Sequence, residues 1–120
     1  MSSQPPLLDL VIDALEEMKA KNITSLDVRA VTSVADDMVI ASGRSARHVD
    51  AMTEHLLTKL KSAGRRDVQS EGRKIKDWVL IDAGHVIVHL FRPEVRAYYD
   101  LEKLWEAGIA EHDVSEASTV

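Results

Sequence analysis

The residues with the widest chemical options lie on one short segment, WVLIDAGHVIVHLF, residues 78–91. Trp78, Asp82, His85 and His89 stand there among aliphatic residues. Imidazole and carboxylate groups bind metal ions or exchange protons, whereas tryptophan is a frequent anchor in protein interfaces. The segment therefore raises the question of whether it forms a metal site, a catalytic site or a surface for a partner protein.

A metal site is not supported by the spacing of the histidines. His85 and His89 point to the same side of a predicted strand, but a rise of about 3.3 Å per residue places them roughly 13 Å apart. One metal ion cannot bridge that distance, and no third ligand stands at a suitable spacing. His48 and His55 lie two turns apart on a predicted helix, which is again too far. We predict no metal and no other cofactor.

A catalytic site is not supported either. The turn Ser42-Gly43-Arg44-Ser45 follows a strand and opens a helix, where backbone amides can hold a phosphate. It has one glycine and no Gly-Lys-Ser, so it is a weak nucleotide signal. Ser45 and His48 can meet on the first helical turn, but no carboxylate is placed to orient the histidine. We predict that Ser45 caps the helix and that the chain has no catalytic residue; a nucleotide-binding enzyme that uses Ser45 and this turn stays as the alternative, and the family resemblance described below makes it nucleotidyltransferase-like.

The first half of the chain predicts a helix, two strands and a second helix. The first helix starts after Pro6 and ends near Asn22, and two strands follow at residues 26–30 and 38–42. One-face apolar spacing marks the first helix at Leu8, Val11, Ile12, Leu15 and Met18. The same spacing marks the second helix at Val49, Met52, Leu56, Leu60 and Ala63, with Gly64 as its stop.

The second half predicts a short strand at residues 68–70, a hairpin, and a helical region that opens at Pro93 and stops at Gly108. Asp100 is expected to begin a second helical turn within that region. The order of elements predicts an α/β or α+β fold in which a mixed sheet of about five strands carries helices on at least one face. We expect one domain over residues 1–108, followed by a frayed tail at 109–120.

The hairpin has two chemically different faces. A two-residue turn at Ala83-Gly84 would place Trp78 opposite His89, whereas a bulged three-residue turn would place Trp78 beside Val88 and flip one strand. With the first turn, one face is wholly aliphatic: Val79, Ile81, Val86, Val88 and Leu90. The other face is mixed: Trp78, Leu80, Asp82, His85, Ile87, His89 and Phe91. The mixed face either packs under the closing helix or binds a partner.

Charge is unevenly distributed along the chain. The net charge is −5; residues 1–43 carry 3 basic and 7 acidic side chains, residues 44–76 carry 9 and 4, and residues 77–120 carry 3 and 9. Such a molecule should not bind bare duplex through overall charge, since phosphate binding needs many basic contacts. The middle block is nevertheless able to contact a phosphate or two.

Composition also limits where the protein acts. The chain has no cysteine, so it forms no disulfide and no thiolate site. No apolar run approaches the roughly 20 residues that span a bilayer, and the start lacks the regions of a secretory signal. We expect no membrane association and a cytoplasmic location, in the cytosol or in an organelle matrix.

Two blocks of sequence resemble one known family. WVLIDAGHVIVHLFRPEVRAYYDLEKLW, residues 78–105, is similar to the signature region of the Iojap family, the bacterial and organellar ribosomal silencing factors. ADDMVIASGRSARHVDAM, residues 35–52, resembles the first block of that family. Together they place about residues 7–108 in it. Two departures stand on or near the hairpin: Ala83 where a larger residue is common, and Arg92 where a histidine is frequent.

The resemblance implies a non-enzymatic factor that binds the large ribosomal subunit through ribosomal protein fourteen and blocks joining of the small subunit when nutrients are scarce. It also implies a fold similar to that of nucleotidyltransferases without their catalytic residues. We then expect the mixed face, helped by the last helix, to contact the partner through Trp78, Leu80, Asp82, His85, His89, Phe91, Tyr98, Tyr99 and Asp100. Peripheral RNA contact is expected from Arg47, Arg73, Lys74 and Lys76. We also expect the free protein to form a homodimer through the same face.

Overall fold

The computed structural model describes residues 6–65, 67–74 and 77–106. These residues form a five-stranded sheet in the order β1-β2-β5-β4-β3, in which β2 and β5 are parallel and the other neighbours antiparallel. The predicted mixed sheet with flanking helices is confirmed. In chain order the elements are α1 (Leu7–Glu17), β1 (Lys21–Asp27), β2 (Asp37–Ser42), α2 (Ala46–Ser62), β3 (Gln69–Glu71), β4 (Trp78–Asp82), β5 (Val86–Phe91) and α3 (Pro93–Tyr99).

The second helix, α2, forms as its sequence predicts. The backbone N–H of His48 donates to Ser45 Oγ at 3.1 Å, which satisfies one of the free amides of the first turn. The apolar stripe faces the sheet, and Gly64 follows the helix with a φ of 83°, a conformation that glycine adopts at little cost. The predicted cap, buried face and stop of this helix are therefore all confirmed.

The first helix starts after Pro6 as predicted, but it ends, and the next strand begins, earlier than predicted. α1 ends at Glu17 rather than near Asn22, because Lys19 adopts a left-handed conformation with a φ of 59° that ends the helix. β1 then begins at Lys21, so that Ala30 lies beyond it and is exposed. The strand predicted at residues 26–30 is wrong in its bounds, since alternation over a few residues does not fix where pairing stops.

The hairpin turn is two residues long, as predicted, but it lies at Gly84 and His85 instead of Ala83 and Gly84. Ala83 N–H donates to Val86 O at 3.0 Å and closes the turn. Gly84 takes a φ of 88°, and its N–H donates to Asp82 Oδ1 at 2.9 Å. His85 therefore sits in the turn and does not lie opposite Asp82 on the hairpin strands.

This shift changes the cross-strand pairs without changing the faces. Trp78 pairs with Phe91, and His89 pairs with Leu80. Both predicted registers, with Trp78 opposite His89 or beside Val88, are wrong. Moving the turn by one residue shifts the strand pairing by two, and since side chains alternate with a period of two, every residue of β4 and β5 stays on its predicted face. The separation of an aliphatic face from a mixed face is thus confirmed.

One face of the sheet is covered by α1 and α2. The aliphatic residues of β4 and β5 point there and are buried against both helices. The opposite face carries a smaller buried cluster, Val28, Met38, Ile40 and Phe91, with Trp78, Val95, Leu101 and Trp105 packed against it. α3 and a further helical segment, residues 101–106, cover this second cluster. None of the described helices is long and apolar enough to cross a bilayer.

Candidate functional site: an aromatic groove beside α3

An open groove of about 430 Å³ lies between α3 and the start of β4. We call it the α3 groove. It is lined by Asp77, Trp78, Glu94, Val95, Tyr98 and Tyr99. The sequence places an aromatic residue at the first position of β4 and a pair of tyrosines at the end of a short helix. The fold brings the three rings to one place.

The indole of Trp78 forms the centre of the groove and is held on several sides. Its Nε1–H donates to His89 Nδ1 at 2.9 Å, and its ring lies 4.9 Å from that of Phe91 and 5.0 Å from that of Tyr99, measured between centroids. Aromatic pairs at these separations attract each other through their quadrupoles. The side chain is half-buried, so one part of the ring stabilises the protein while another part faces the groove.

His89 lies beneath the indole and is 7% exposed. Burial disfavours the charged imidazolium and lowers the pKa of His89 to about 4. The ring is therefore neutral at pH 7. Since Nδ1 accepts the indole N–H, we assign the proton to Nε2. His89 is an internal hydrogen-bond acceptor that fixes the orientation of Trp78.

The rim of the groove is charged. Arg92 precedes α3, and its Nε donates to Asp77 Oδ1 at 2.7 Å while its Nη1 lies 3.5 Å from Glu94 Oε2. The backbone N–H of Arg92 also donates to Asp77 O at 3.1 Å. The arginine thus joins the segment before β4 to the first turn of α3.

Arg96 fastens α3 to the sheet. Its side chain is 11% exposed and donates to Glu102 Oε1 at 2.6 Å, to Ser42 Oγ at 2.8 Å and to Thr24 Oγ1 at 3.3 Å. The hydrogen bond from the guanidinium lowers the pKa of Glu102. Sequence reasoning missed this residue, although an arginine between apolar helix positions, with a serine closing a buried strand, was the available signal.

The outer wall of the groove consists of exposed aromatic side chains. Tyr98 is 81% exposed and Tyr99 is 55% exposed, and their rings meet edge to face at 5.1 Å. Adjacent exposed rings beside a half-buried indole form an apolar patch with a polar rim, which is typical of a protein interaction site.

The structure brings together only some of the residues predicted to bind a partner. Trp78, Tyr98 and Tyr99 line one groove, and Asp100 is exposed just after them, at the left-handed end of α3. This break agrees with the predicted second helical turn, and residues 101–106 continue as helix. Gly108, the predicted stop, lies outside the described residues. These four residues are the members of the predicted set that come together at the groove.

The other predicted residues lie elsewhere. Leu80 and Asp82 are half-buried farther along the same face of β4. Phe91 is fully buried and His89 almost so, and both support Trp78 from below. His85 is exposed on the hairpin turn at the opposite end of β4, 3.6 Å from Asp36. Strand alternation identified the face of each residue but gave no information on what covers it.

The predicted RNA contacts are only partly available. Arg47 and Lys74 are exposed. Arg73, in contrast, is paired with Glu54 and lies 3.8 Å from Asp50, so its charge is largely neutralised by α2. Lys76 lies outside the described residues. Arg73 is therefore less available to a phosphate than the exposed Arg47 and Lys74.

The turn before α2 is fully engaged in local structure. Ser45 Oγ serves as the helix cap, and His48 Nδ1 accepts the N–H of Arg44 at 2.9 Å while its Nε2 lies 2.8 Å from Met18 O. A Cβ on Gly43 would come within 2.8 Å of Val49 Cγ2, so packing explains the glycine. Within the described part of the chain, no three metal-binding side chains come together.

Comparisons with known proteins identify relatives of this chain. The family model described as ribosomal silencing factor during starvation matches residues 1–119. A Zymomonas mobilis protein named ribosomal silencing factor RsfS is 48% identical over 102 residues, covering 85% of this chain and 77% of that one. A Haemophilus influenzae protein of the same name is 38% identical over 99 residues, covering 82% and 97%. A crystal structure of a Chromobacterium violaceum protein superposes with a TM-score of 0.80 at 46% identity, covering 82% of each chain.

Proposed function

This chain belongs to the ribosomal silencing factor family, and on that premise we propose that it binds the large ribosomal subunit through ribosomal protein fourteen. By occupying that surface it keeps the small subunit from joining, and translation falls when nutrients are limiting. Its action is in the cytoplasm, by binding alone, without catalysis and without a cofactor.

The observation that carries this proposal is the exposed aromatic surface of the α3 groove. Tyr98 and Tyr99 lie beside the half-buried indole of Trp78, on the face of the sheet that α1 and α2 leave open. Large aromatic side chains with a polar surround are the residues that most often dominate binding energy. Leu80 and Asp82 extend the docking surface along β4, whereas His89 and Phe91 support it from within.

Charge favours a basic protein as the partner. The acidic side chains Asp77, Glu94 and Asp100 lie at or beside the groove. Acidic groups attract a basic protein and are repelled by RNA phosphate, so they steer the groove toward protein on a surface that is mostly RNA.

Cosedimentation with purified large subunits tests the proposal. Tyr98→Ala should lower the affinity about tenfold, since an exposed aromatic anchor is typically worth about 1 to 2 kcal/mol on truncation. Because Tyr98 is exposed, its removal should leave the unfolding midpoint unchanged. Thr58→Ala, at an exposed position of α2 on the other side of the sheet, is the matched control and should bind normally.

A subunit-joining assay completes this test. Preincubating large subunits with the protein should reduce the peak of joined ribosomes after small subunits are added, and Tyr98→Ala should restore that peak. A protein that does not pellet with large subunits, or that pellets without affecting joining, would contradict the proposed mechanism.

Arg47 and Lys74 add a peripheral contact with ribosomal RNA in this proposal. Neutralising both should reduce the salt dependence of large-subunit binding by a slope of about 1 to 2 while leaving binding measurable. An unchanged salt dependence would exclude the RNA contact without affecting the proposed contact with the ribosomal protein.

The free protein, we further propose, forms a homodimer through the α3 groove, which would hide the exposed tyrosines until the ribosome competes for them. Size-exclusion chromatography over a dilution series should show dissociation at low concentration. Tyr98→Ala should be monomeric at concentrations where the unmodified protein is not; identical elution of the two proteins would exclude this interface.

A further inference from the structure

The rim of the α3 groove has more negative than positive charge. Asp77 and Glu94 contribute two carboxylates, and Arg92 supplies one guanidinium that contacts both, at 2.7 Å and 3.5 Å. The side chain of Glu94 is 68% exposed, so much of its charge is open to solvent. One negative charge therefore remains in excess among these three groups.

The negative rim favours a cationic ligand, and the aromatic lining of the groove favours one as well. The faces of Trp78, Tyr98 and Tyr99 carry the negative part of the aromatic quadrupole, which attracts ammonium and guanidinium groups within about 6 Å of a ring. A carboxylate entering the groove would be repelled by both the rings and the rim. A purely apolar side chain would take water from the carboxylate of Glu94 and leave it only the 3.5 Å contact with Arg92, which is costly.

We propose that the α3 groove binds a cationic side chain, arginine or lysine, of the partner protein, and that Arg92 is the intramolecular competitor for that cation. This inference rests on the proposed function and specifies the chemistry of the partner at its centre. Arg92 lies just before α3 and contacts the same two carboxylates that the incoming cation needs. Its guanidinium therefore weakens docking, even though a positive charge should otherwise favour binding to the negatively charged ribosome.

A charge reversal at the rim tests whether the groove binds a cation, because the direction of the change in affinity differs from that of a control reversal elsewhere. The ribosome is negatively charged as a whole, so adding positive charge to a binding protein generally strengthens association. Glu94→Lys adds two units of positive charge at the rim, and Asp13→Lys adds the same two units at an exposed position of α1, on the other side of the sheet. We expect Glu94→Lys to lower large-subunit affinity about tenfold. Asp13→Lys should bind as tightly as the unmodified protein or more tightly.

Removing the positive charge of Arg92 tests whether this residue competes with the incoming cation. Arg92→Gln removes one positive charge but keeps the backbone N–H that donates to Asp77 O. General attraction to RNA predicts weaker binding, whereas release of the two carboxylates predicts binding that is about two- to threefold tighter. Lys61→Gln, at an exposed position of α2, loses the same charge and should bind slightly more weakly.

The outcomes separate this inference from the function on which it rests. If the unmodified protein does not pellet with large subunits, the proposed function fails. If it pellets, and Glu94→Lys behaves like Asp13→Lys, the cationic ligand is excluded while the function stands. Arg92→Gln binding that is no tighter than that of Lys61→Gln excludes the competitor. Unfolding midpoints confirm that the variants fold; should Glu94→Lys unfold, Glu94→Gln decides, with an expected loss of about threefold.

Discussion

The two faces of the sheet are built from alternate residues of the same strands, yet they differ in how completely they are covered. On one face, aliphatic side chains of β2, β4 and β5 are sealed by α1 and α2. On the other, α3 contributes no fully buried residue, and half-buried aromatic side chains surround a small core. The first face has the complete packing that sets the stability of a fold. The second leaves apolar and charged groups accessible, which is what a docking surface requires.

The largest expected difference between the faces comes from neighbouring residues of β4. Ile81 is fully buried under α2, whereas Leu80 points to the α3 side and is half-buried. Ile81→Ala should lower the free energy of unfolding by about 2 to 5 kcal/mol, because it leaves a cavity. Leu80→Ala should cost less than about 1.5 kcal/mol and should instead weaken large-subunit binding. Urea denaturation and cosedimentation measure the two effects; equal losses of stability would break the distinction between the faces.

The next effect is the pH dependence of stability that comes from His89, on the α3 side of the sheet. His89 has a pKa lowered to about 4 in the folded protein, against about 6.5 when unfolded, so the unfolded chain takes up the proton more readily. The stability that neutral His89 contributes is complete above about pH 6.5 and is lost as the pH falls toward 4, by about 3 kcal/mol in total.

His89→Gln isolates this contribution, because glutamine retains an acceptor for the indole N–H but does not titrate. Urea denaturation at pH 7 and pH 4.5 should show a smaller loss of stability for the variant than for the unmodified protein. His85→Gln, at the exposed hairpin turn, is the control and should keep the original pH dependence. A variant with unchanged pH dependence would show that His89 is not the group responsible.

The smallest expected effect is the loss of stability when Arg96, which holds α3 against the sheet, is replaced. Arg96→Gln removes the ion pair with Glu102 and the contact with buried Ser42. We expect a loss of about 1 to 2 kcal/mol, less than for a deeply buried pair, because part of Glu102 remains solvated. Hydrogen exchange should accelerate in residues 93–106 and stay unchanged in α2. Faster exchange throughout the chain would mean that the two sides unfold together.

The sequence was sufficient to predict α2 and the two faces of the hairpin, because both depend on simple periodicity. It was not sufficient to predict the turn position. Both Ala83-Gly84 and Gly84-His85 place glycine where a positive φ is tolerated, so local chemistry does not choose between them. Pairing with the rest of the sheet decides the register, and β5 is fixed by its parallel ladder with β2.

Burial within the site was the other part that sequence did not reveal. Phe91 and Trp78 share a face, but Phe91 is sealed in the small core while Trp78 lines a groove, because burial depends on which distant segments pack over each residue. Arg96 was missed for a related reason. Its partners Thr24 and Ser42 are distant in sequence and become adjacent only when β1 and β2 pair.

The hydrogen bond between Trp78 and His89 has a consequence for the energetics of recognition. The only polar hydrogen of the indole is satisfied inside the protein, so Trp78 offers a partner nothing but carbon and π-electron surface. Its rotamer is already fixed by the rings around it, and the roughly 0.5 to 1.5 kcal/mol of side-chain entropy that immobilisation usually costs at an interface has been lost on folding. This part of the surface is preorganised, so a complex that buries Trp78 should dissociate slowly.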